Sequence, residues 1–355
     1  MESTAVNLTT QSKREHSYDI VKGIAMILVI IGHCKFVPAP MLWWLYSFHM
    51  PLFFMVSGML MNVEKYSFVS FLKNRLRTLV LPYFSLSFVL YIWDVIIKIR
   101  LSTLDEELYI KKFFGIFFAR RNTDYYYNLW FLTALFFAEL LVFIIVKVCK
   151  NKSPVIFIFM IILSCAGFYI VSKISRSYFW SLDLVPLSAA FLAIGYLLRL
   201  YLKKRNMIFN PLLFPIYCVI NLGFAYLNHK ACGDLGRSDM YYLNLGNYFY
   251  YMIAAVAGSL AVITFARFIK KLPPIEYIGK NSLIYYTFQQ AIFLPTFVSV
   301  AEELSILGGI FENRYFKFVF IVVLTCLSLA VLSYIITSCF PFLLGRSYKR
   351  NSEKA

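Results

Sequence analysis

Stretches of about 20 mostly apolar residues recur along the whole chain, and each is long enough to cross a bilayer as a helix. No other feature of the sequence limits the fold as strongly. The pattern predicts an all-α, polytopic membrane protein with about ten transmembrane helices. The predicted spans are approximately 19–37, 41–61, 79–97, 128–148, 154–173, 184–202, 211–228, 246–269, 281–300 and 316–340.

The composition argues against a soluble protein. Of the 355 residues, 60% are hydrophobic and 15% are charged, whereas soluble domains carry about 25% charged residues. The net charge of +17 raises nucleic-acid binding as an alternative. The basic residues are scattered over short loops, however, and are not gathered on one patch. We therefore expect membrane lipids, and no nucleic acid, among the partners.

Basic residues also predict the orientation of the chain. With the N-terminus in the cytoplasm, the loops on that side hold more Lys and Arg than the loops on the other side. This bias favours two cytoplasmic termini. The predicted organisation is a cytoplasmic tail at 1–18, a single transmembrane domain at 19–344 and a basic cytoplasmic tail at 345–355. We expect the protein in the cell (inner) membrane.

Three polar side chains lie in the first predicted span, where ionisable groups are costly and mark functional candidates. Lys22 and His33 are eleven residues apart, which puts them on one helix face and about 16 Å apart along its axis. Asp19 precedes Lys22 by three residues and can pair with it. Asp19 and Lys22 either anchor the helix among the headgroups or belong to a functional stripe. His33 is either a packing histidine or a reactive one.

Two further ionisable residues lie inside predicted spans. His49 is in the second span, which follows the first after a short turn, so we expect His33 and His49 at similar depth on neighbouring helices. Glu139, in the fourth span, has no partner in its own helix and is expected to face the bundle interior. A packing role remains an alternative for both His49 and Glu139.

Aromatic clusters lie near one predicted membrane boundary, where they form either an interfacial belt or stacking surfaces for sugar rings. They are Tyr125–Tyr127 with Trp130, Tyr178–Trp180, and Tyr241–Tyr251.

Four segments resemble motifs of the membrane acyltransferase 3 family. The spacing from Lys22 to His33 is similar to the family signature in the first span. The segment SFHMPLFFMVSG (47–58) resembles the second-span motif of the fucose 4-O-acetylase-like branch. NLWFLTALFFAELL (128–141) and IGKNSLIYYTF (278–288) are similar to later motifs of that branch. Together the resemblance covers nearly the whole chain.

The resemblance implies ten transmembrane helices and transfer of an acyl group, usually acetyl from acetyl-CoA. The implied acceptors are cell-envelope or exported glycans and lipid-linked sugars. The family histidine corresponds to His33 and its basic partner to Lys22, and His49 matches the branch motif. The chain departs from many members at Gln289 and Gln290, where a His is common.

Acyl transfer to a hydroxyl needs a base and a donor that stabilises the developing oxyanion. We predict His33 as the base, because a neutral imidazole titrates near working pH. His49 would orient it or stabilise the oxyanion, and Asp19, Lys22 and Glu139 would support the site. A covalent acyl-histidine and direct transfer both remain open.

The predicted donor is acetyl-CoA, with no metal, since the seven cysteines lack metal-like spacing. Lys22, Lys73, Arg75 and Arg77 are the predicted phosphate ligands. The last three also fit the simpler role of orientation signals.

A glycan exporter and a proton-coupled transporter are the alternatives, both without acyl-transfer chemistry. In the transporter, His33, His49 and Glu139 would relay protons. The sequence shows no internal repeat, which argues against a transporter built from repeats.

Overall fold

A computed structural model of the chain describes residues 2–121, 129–173, 177–202, 207–269, 271–306 and 308–346, with side chains from residue 16 onward. The predicted aromatic cluster at Tyr125–Tyr127 lies outside the described residues. The α-helices of the described part are α1 (Glu2–His33), α2 (Ala39–Tyr46), α3 (His49–Leu60), α4 (Phe68–Arg75), α5 (Leu81–Arg100), α6 (Glu106–Phe118), α7 (Trp130–Val148), α8 (Ser153–Lys173), α9 (Val185–Leu202), α10 (Phe214–Ala231), α11 (Tyr248–Phe268), α12 (Pro273–Lys280), α13 (Ser282–Phe288), α14 (Leu294–Ile306) and α15 (Arg314–Cys339).

Nine helical segments in this part of the chain are long and apolar enough to cross a membrane. The first is His16–His33 and the last is Arg314–Cys339, and together they correspond to nine of the ten predicted spans. The chain is therefore an all-α, polytopic membrane protein, as predicted.

The second predicted span, 41–61, differs from the expectation because it is two helices and not one. Between α2 and α3, Phe48 leaves the helical conformation with φ −147° and ψ −16°. Pro51 explains the break. In a continuous helix its ring would clash with the carbonyl of Ser47, and it has no N–H to donate to that carbonyl. Irregular backbone at membrane depth requires burial in protein, and Ser47 and Phe48 are both buried. The break puts His49 in the first turn of a helix inside the bundle.

α3 crosses α9 at very short range. A Cβ atom on Gly58 would lie 2.0 Å from the carbonyl oxygen of Leu192, and one on Gly195 would lie 1.9 Å from that of Met55. The two backbones therefore touch, as small residues allow in membrane helix pairs. This contact holds α3, and with it His49, against the centre of the bundle.

α1 is an unbroken helix through the segment that carries the predicted site residues. Lys22 and His33 are therefore separated by about 16 Å along its axis. α12 packs closely against the Lys22 end, where a Cβ on Gly279 would lie 1.9 Å from the Asp19 carbonyl oxygen.

Two π-helical turns interrupt the bundle near α1. One, Leu76–Val80, joins α4 to α5, and the other, Gln289–Phe293, joins α13 to α14. Such turns occur frequently at functional sites. The first follows Arg75 directly, and the second begins at Gln289, one of the two glutamines singled out in the sequence.

Candidate active site

A cavity of about 150 Å³ lies where α1, α2 and α3 meet the loop between α10 and α11. His33 and His49 both line it, so we refer to it as the histidine cavity. Tyr46 lies between them, with its ring centroid 6.4 Å from that of His33 and 4.8 Å from that of His49. The structure therefore brings the two histidines together. Other lining residues are Met50, Trp130, Arg237, Asp239, Tyr286 and Gln290.

Backbone carbonyls orient both imidazoles. Nδ1 of His33 lies 2.9 Å from the Val29 oxygen, and Nδ1 of His49 lies 2.7 Å from the Leu45 oxygen. A carbonyl oxygen only accepts, so each Nδ1 carries a proton and each neutral ring keeps a lone pair at Nε2. An imidazole in this form takes a proton at Nε2, as a general base requires.

Both glutamines of the departure from the family pattern lie at this site. The buried side-chain amide of Gln289 is 3.4 Å from Nδ1 of His33. Gln290 lines the histidine cavity. The two glutamines singled out in the sequence therefore contact the predicted base or line its cavity.

A second cavity, of about 210 Å³, lies toward the other end of α1. Lys22 lines it, so we refer to it as the lysine cavity, and Ser57, Thr78 and Ser282 supply its other polar side chains. Met50 and Tyr286 line both cavities and therefore form a shared wall. The two cavities follow α1 from Lys22 to His33.

The predicted pair at the start of this path is present. Nζ of Lys22 lies 2.7 Å from Oδ1 of Asp19, and both side chains are partly buried. The ion pair fixes the lysine beside the lysine cavity without neutralising its capacity to donate, since an ammonium group has three donors.

Glu139 is buried and faces the bundle interior, as predicted. Its Oε2 lies 2.6 Å from Nε of Arg75, whose guanidinium also lies 4.8 Å from the ring centroid of Phe71. Two residues predicted for different roles therefore form one ion pair. It joins α7 to α4, and neither residue lines the two cavities.

The remaining predicted phosphate ligands lie near the surface. Lys73 is exposed, and Nε of Arg77 donates to the Gly345 oxygen at 2.6 Å. Lys22 is the one of the four predicted cations that lines the lysine cavity. For a metal, the described residues offer no group of three or more His, Cys, Asp or Glu.

The loop between α10 and α11 supplies two charged residues that the sequence analysis did not single out. Arg237 and Asp239 line the histidine cavity, with guanidinium and carboxylate 3.6 Å apart. Asp239 also accepts a hydrogen bond from the Tyr241 N–H at 2.9 Å. Burial raises the pKa of the Asp239 carboxyl to about 6, and the Arg237 charge opposes that rise. The signal in the sequence was a charged pair next to the aromatic cluster Tyr241–Tyr251.

The fold and the site define a multi-pass membrane protein with two histidines at one cavity, His49 buried and His33 half-buried. The acyltransferase 3 family model, described as an acyltransferase domain, matches residues 15–338. The chain therefore belongs to the membrane acyltransferase 3 family and is a membrane acyltransferase. The family match confirms the resemblance to the family and favours an enzyme over the exporter and transporter alternatives. No curated protein and no solved structure matches the chain.

Proposed function

We propose that the protein transfers an acetyl group from acetyl-CoA to a hydroxyl group of a cell-envelope or exported glycan, or of a lipid-linked sugar. One observation carries the proposal, namely the order of features along α1. The lysine cavity, the wall of Met50 and Tyr286, and the histidine cavity follow one another. This path is about 16 Å long, comparable to an extended pantetheine arm.

The donor nucleotide binds at the Lys22 end in this proposal. Lys22 contacts a phosphate, and Lys73 and Arg77 add positive charge nearby. Arg75 contributes less because its charge is shared with Glu139. This orientation places the Lys22 end and both chain termini in the cytoplasm, consistent with the bias of basic residues. We also propose that the protein lies in the inner membrane and belongs to the fucose 4-O-acetylase-like branch.

The chemical step uses His33 as the base. Nε2 of His33 takes the proton of the acceptor hydroxyl while the hydroxyl oxygen forms a bond to the thioester carbonyl carbon. The carbonyl π electrons move to oxygen and give a tetrahedral oxyanion. When the carbonyl re-forms, the C–S bond breaks with its electron pair on sulfur. The CoA thiolate then takes the proton from the imidazolium, which restores the neutral base.

Aromatic side chains support a sugar as the acceptor. Trp130, Tyr241 and Tyr286 line the histidine cavity and offer flat faces beside the polar groups of Arg237 and Asp239. Mostly aromatic walls with a few polar groups are typical of small-molecule sites.

The test is conversion of acetyl-CoA by the purified full-length protein in detergent. We add radiolabelled acetyl-CoA and the glycan fraction extracted from the cell that makes the protein. We expect release of CoA thiol and transfer of the radiolabelled acetyl group to the glycan. The label in that fraction should be lost on mild alkaline treatment, because an O-acetyl ester is alkali-labile. A protein that neither releases thiol nor transfers label would contradict the proposal.

A further inference from the structure

Arg237 brings a positive charge to the two histidines. It lines the histidine cavity and interacts electrostatically with both imidazoles. Its guanidinium carbon lies 4.6 Å from the centroid of the Tyr46 ring. The same ring contacts His33 and His49. One tyrosine therefore has the guanidinium and both imidazoles around it.

The loop that carries Arg237 is held in place without a substrate. Gly236 has a positive φ of 59°, and its oxygen accepts a hydrogen bond from Nδ1 of His229 at 2.5 Å. The Ser238 hydroxyl donates to the backbone carbonyl oxygen of Tyr46 at 3.3 Å. The backbones of Asp239 and Asn244 pair with each other. Arg237 is thus preorganised, which is the condition for effective electrostatic stabilisation of a transition state.

The buried arginine Arg121 adds a second anchor for this loop. It donates to the Met240 oxygen at 3.0 Å and forms an ion pair with Asp183. The anchor connects the loop to the segment before α9. The position of Arg237 over the cavity is therefore set by three parts of the fold.

Acyl transfer needs an N–H donor for the oxyanion, and the two histidines do not supply one. Both donate their Nδ1–H to backbone carbonyls, so in the neutral form neither has a second N–H for an oxyanion. This argues against His49 as the oxyanion donor. Arg237 has donors to spare, since its buried Nε has no hydrogen-bond partner among the described residues. Its terminal nitrogen is 3.6 Å from Asp239, longer than a hydrogen bond.

We propose that Arg237 is the catalytic residue that stabilises the oxyanion, by donating N–H groups to the thioester oxygen as its charge develops. Asp239 is the positioning residue that keeps the guanidinium directed at the cavity. This inference rests on the proposed acyl transfer. No atom is exchanged with Arg237, because it donates hydrogen bonds to the oxyanion and keeps its protons when the carbonyl re-forms.

The test is CoA thiol release from acetyl-CoA by the purified protein, with water as the acceptor hydroxyl. Arg237→Gln should lower kcat by about 10²- to 10³-fold, as loss of an oxyanion donor does. The KM for acetyl-CoA should change less than about twofold, because the contact forms in the transition state. Arg314→Gln is the matched control, since Arg314 binds the Phe36 and Val37 oxygens away from the cavity. It should retain the wild-type rate.

Two further variants separate catalysis from folding. Arg237→Lys keeps a charge over Tyr46 but loses the planar fork, so it should regain only part of the rate. Arg237→Ala should recover activity when guanidinium ions are added, whereas Arg314→Gln should not respond. An Arg237→Gln enzyme within about threefold of wild type would overturn this inference and leave the acyltransferase proposal standing. A wild-type protein that neither releases thiol nor transfers label to the glycan fraction would overturn both.

The role of Asp239 has its own readout in pH. The charged and titratable groups facing it are Arg237, Arg121, Tyr46 and Tyr251. Its raised pKa makes it neutral below about pH 6 and charged above. The ratio of wild-type to Asp239→Asn activity cancels any titration that both share, such as that of His33. The ratio should approach one at pH 5 and rise above pH 6. A ratio independent of pH would exclude Asp239 as the positioning residue.

Discussion

The side-chain amide of Gln289 lies 3.4 Å from Nδ1 of His33, the ring nitrogen that also donates to the Val29 oxygen. The contact crosses from the π-helical turn after α13 to the end of α1. Because the amide nitrogen and the protonated Nδ1 are both donors, the contact restrains the imidazole by packing and not by a hydrogen bond. It leaves Nε2, the nitrogen of the predicted base, untouched. Gln289, one of the two glutamines singled out in the sequence, thus contacts the predicted base.

Gln289→Ala should lower kcat about tenfold, because a loosely oriented base is displaced from the acceptor hydroxyl. The KM for acetyl-CoA should stay the same, since Gln289 lies outside the lysine cavity. Gln289→His should retain most of the wild-type rate if orientation is what the position provides. Equal kcat values for Gln289→Ala and wild type would exclude this role.

Lys22→Met should raise the KM for acetyl-CoA about tenfold, the effect of losing roughly 1.4 kcal/mol of charge-assisted binding to a phosphate. Lys35→Met is the matched control. Lys35 follows the other end of α1 and pairs with Glu302 at 2.6 Å. Steady-state kinetics over a range of acetyl-CoA concentrations measures both variants. An unchanged KM for Lys22→Met would remove Lys22 from donor binding.

Met50→Ala should widen the shared wall and admit longer acyl groups. The ratio of kcat/KM for butyryl-CoA to that for acetyl-CoA should rise at least about tenfold, since each methylene in a pocket changes discrimination by that order. Met26→Ala is the comparison, because Met26 is also buried but lines the lysine cavity and not the histidine cavity. A ratio that rises equally in both variants would mean that the wall does not select acyl length.

Glu139→Gln should destabilise the bundle without a specific effect on the chemistry. It removes the charge that faces Arg75, at a cost of about 2 kcal/mol, less than for a fully buried pair because Arg75 is partly exposed. Thermal unfolding in detergent should show a lower midpoint. Glu107→Gln, in the exposed pair with Lys111, should leave the midpoint unchanged. A rate per folded molecule that collapses in Glu139→Gln would contradict a structural role.

Periodicity and hydropathy predicted most of the bundle, because membrane spans are defined by length and apolar character alone. They did not predict the division of the second span. The cause is Pro51, which disrupts the helix at the carbonyl of Ser47, four residues earlier. A membrane protein tolerates such a break only where the irregular backbone is buried in protein, and hydropathy does not report that. Hydropathy averages over such a break because both halves remain apolar.

The histidines were predictable because ionisable groups in a span are rare and costly. Arg237 and Asp239 were not, because charged residues in a loop are ordinary. Their proposed role depends on a loop fold that brings them to the same cavity as His33, and no local pattern encodes that arrangement. Likewise, the sequence gives Arg75 the appearance of a phosphate ligand, and only tertiary structure pairs it with Glu139.

The central claim is that His33 is the base of an acyl transfer, and thiol release by His33→Gln tests it most directly. His16→Gln is the control, since His16 lies on the same helix and binds Glu276 at 2.7 Å, away from both cavities. With acetyl-CoA, His33→Gln should lose at least about 10³-fold in kcat while His16→Gln and wild type release CoA at similar rates. A folded His33→Gln protein that releases CoA at the wild-type rate would contradict the account.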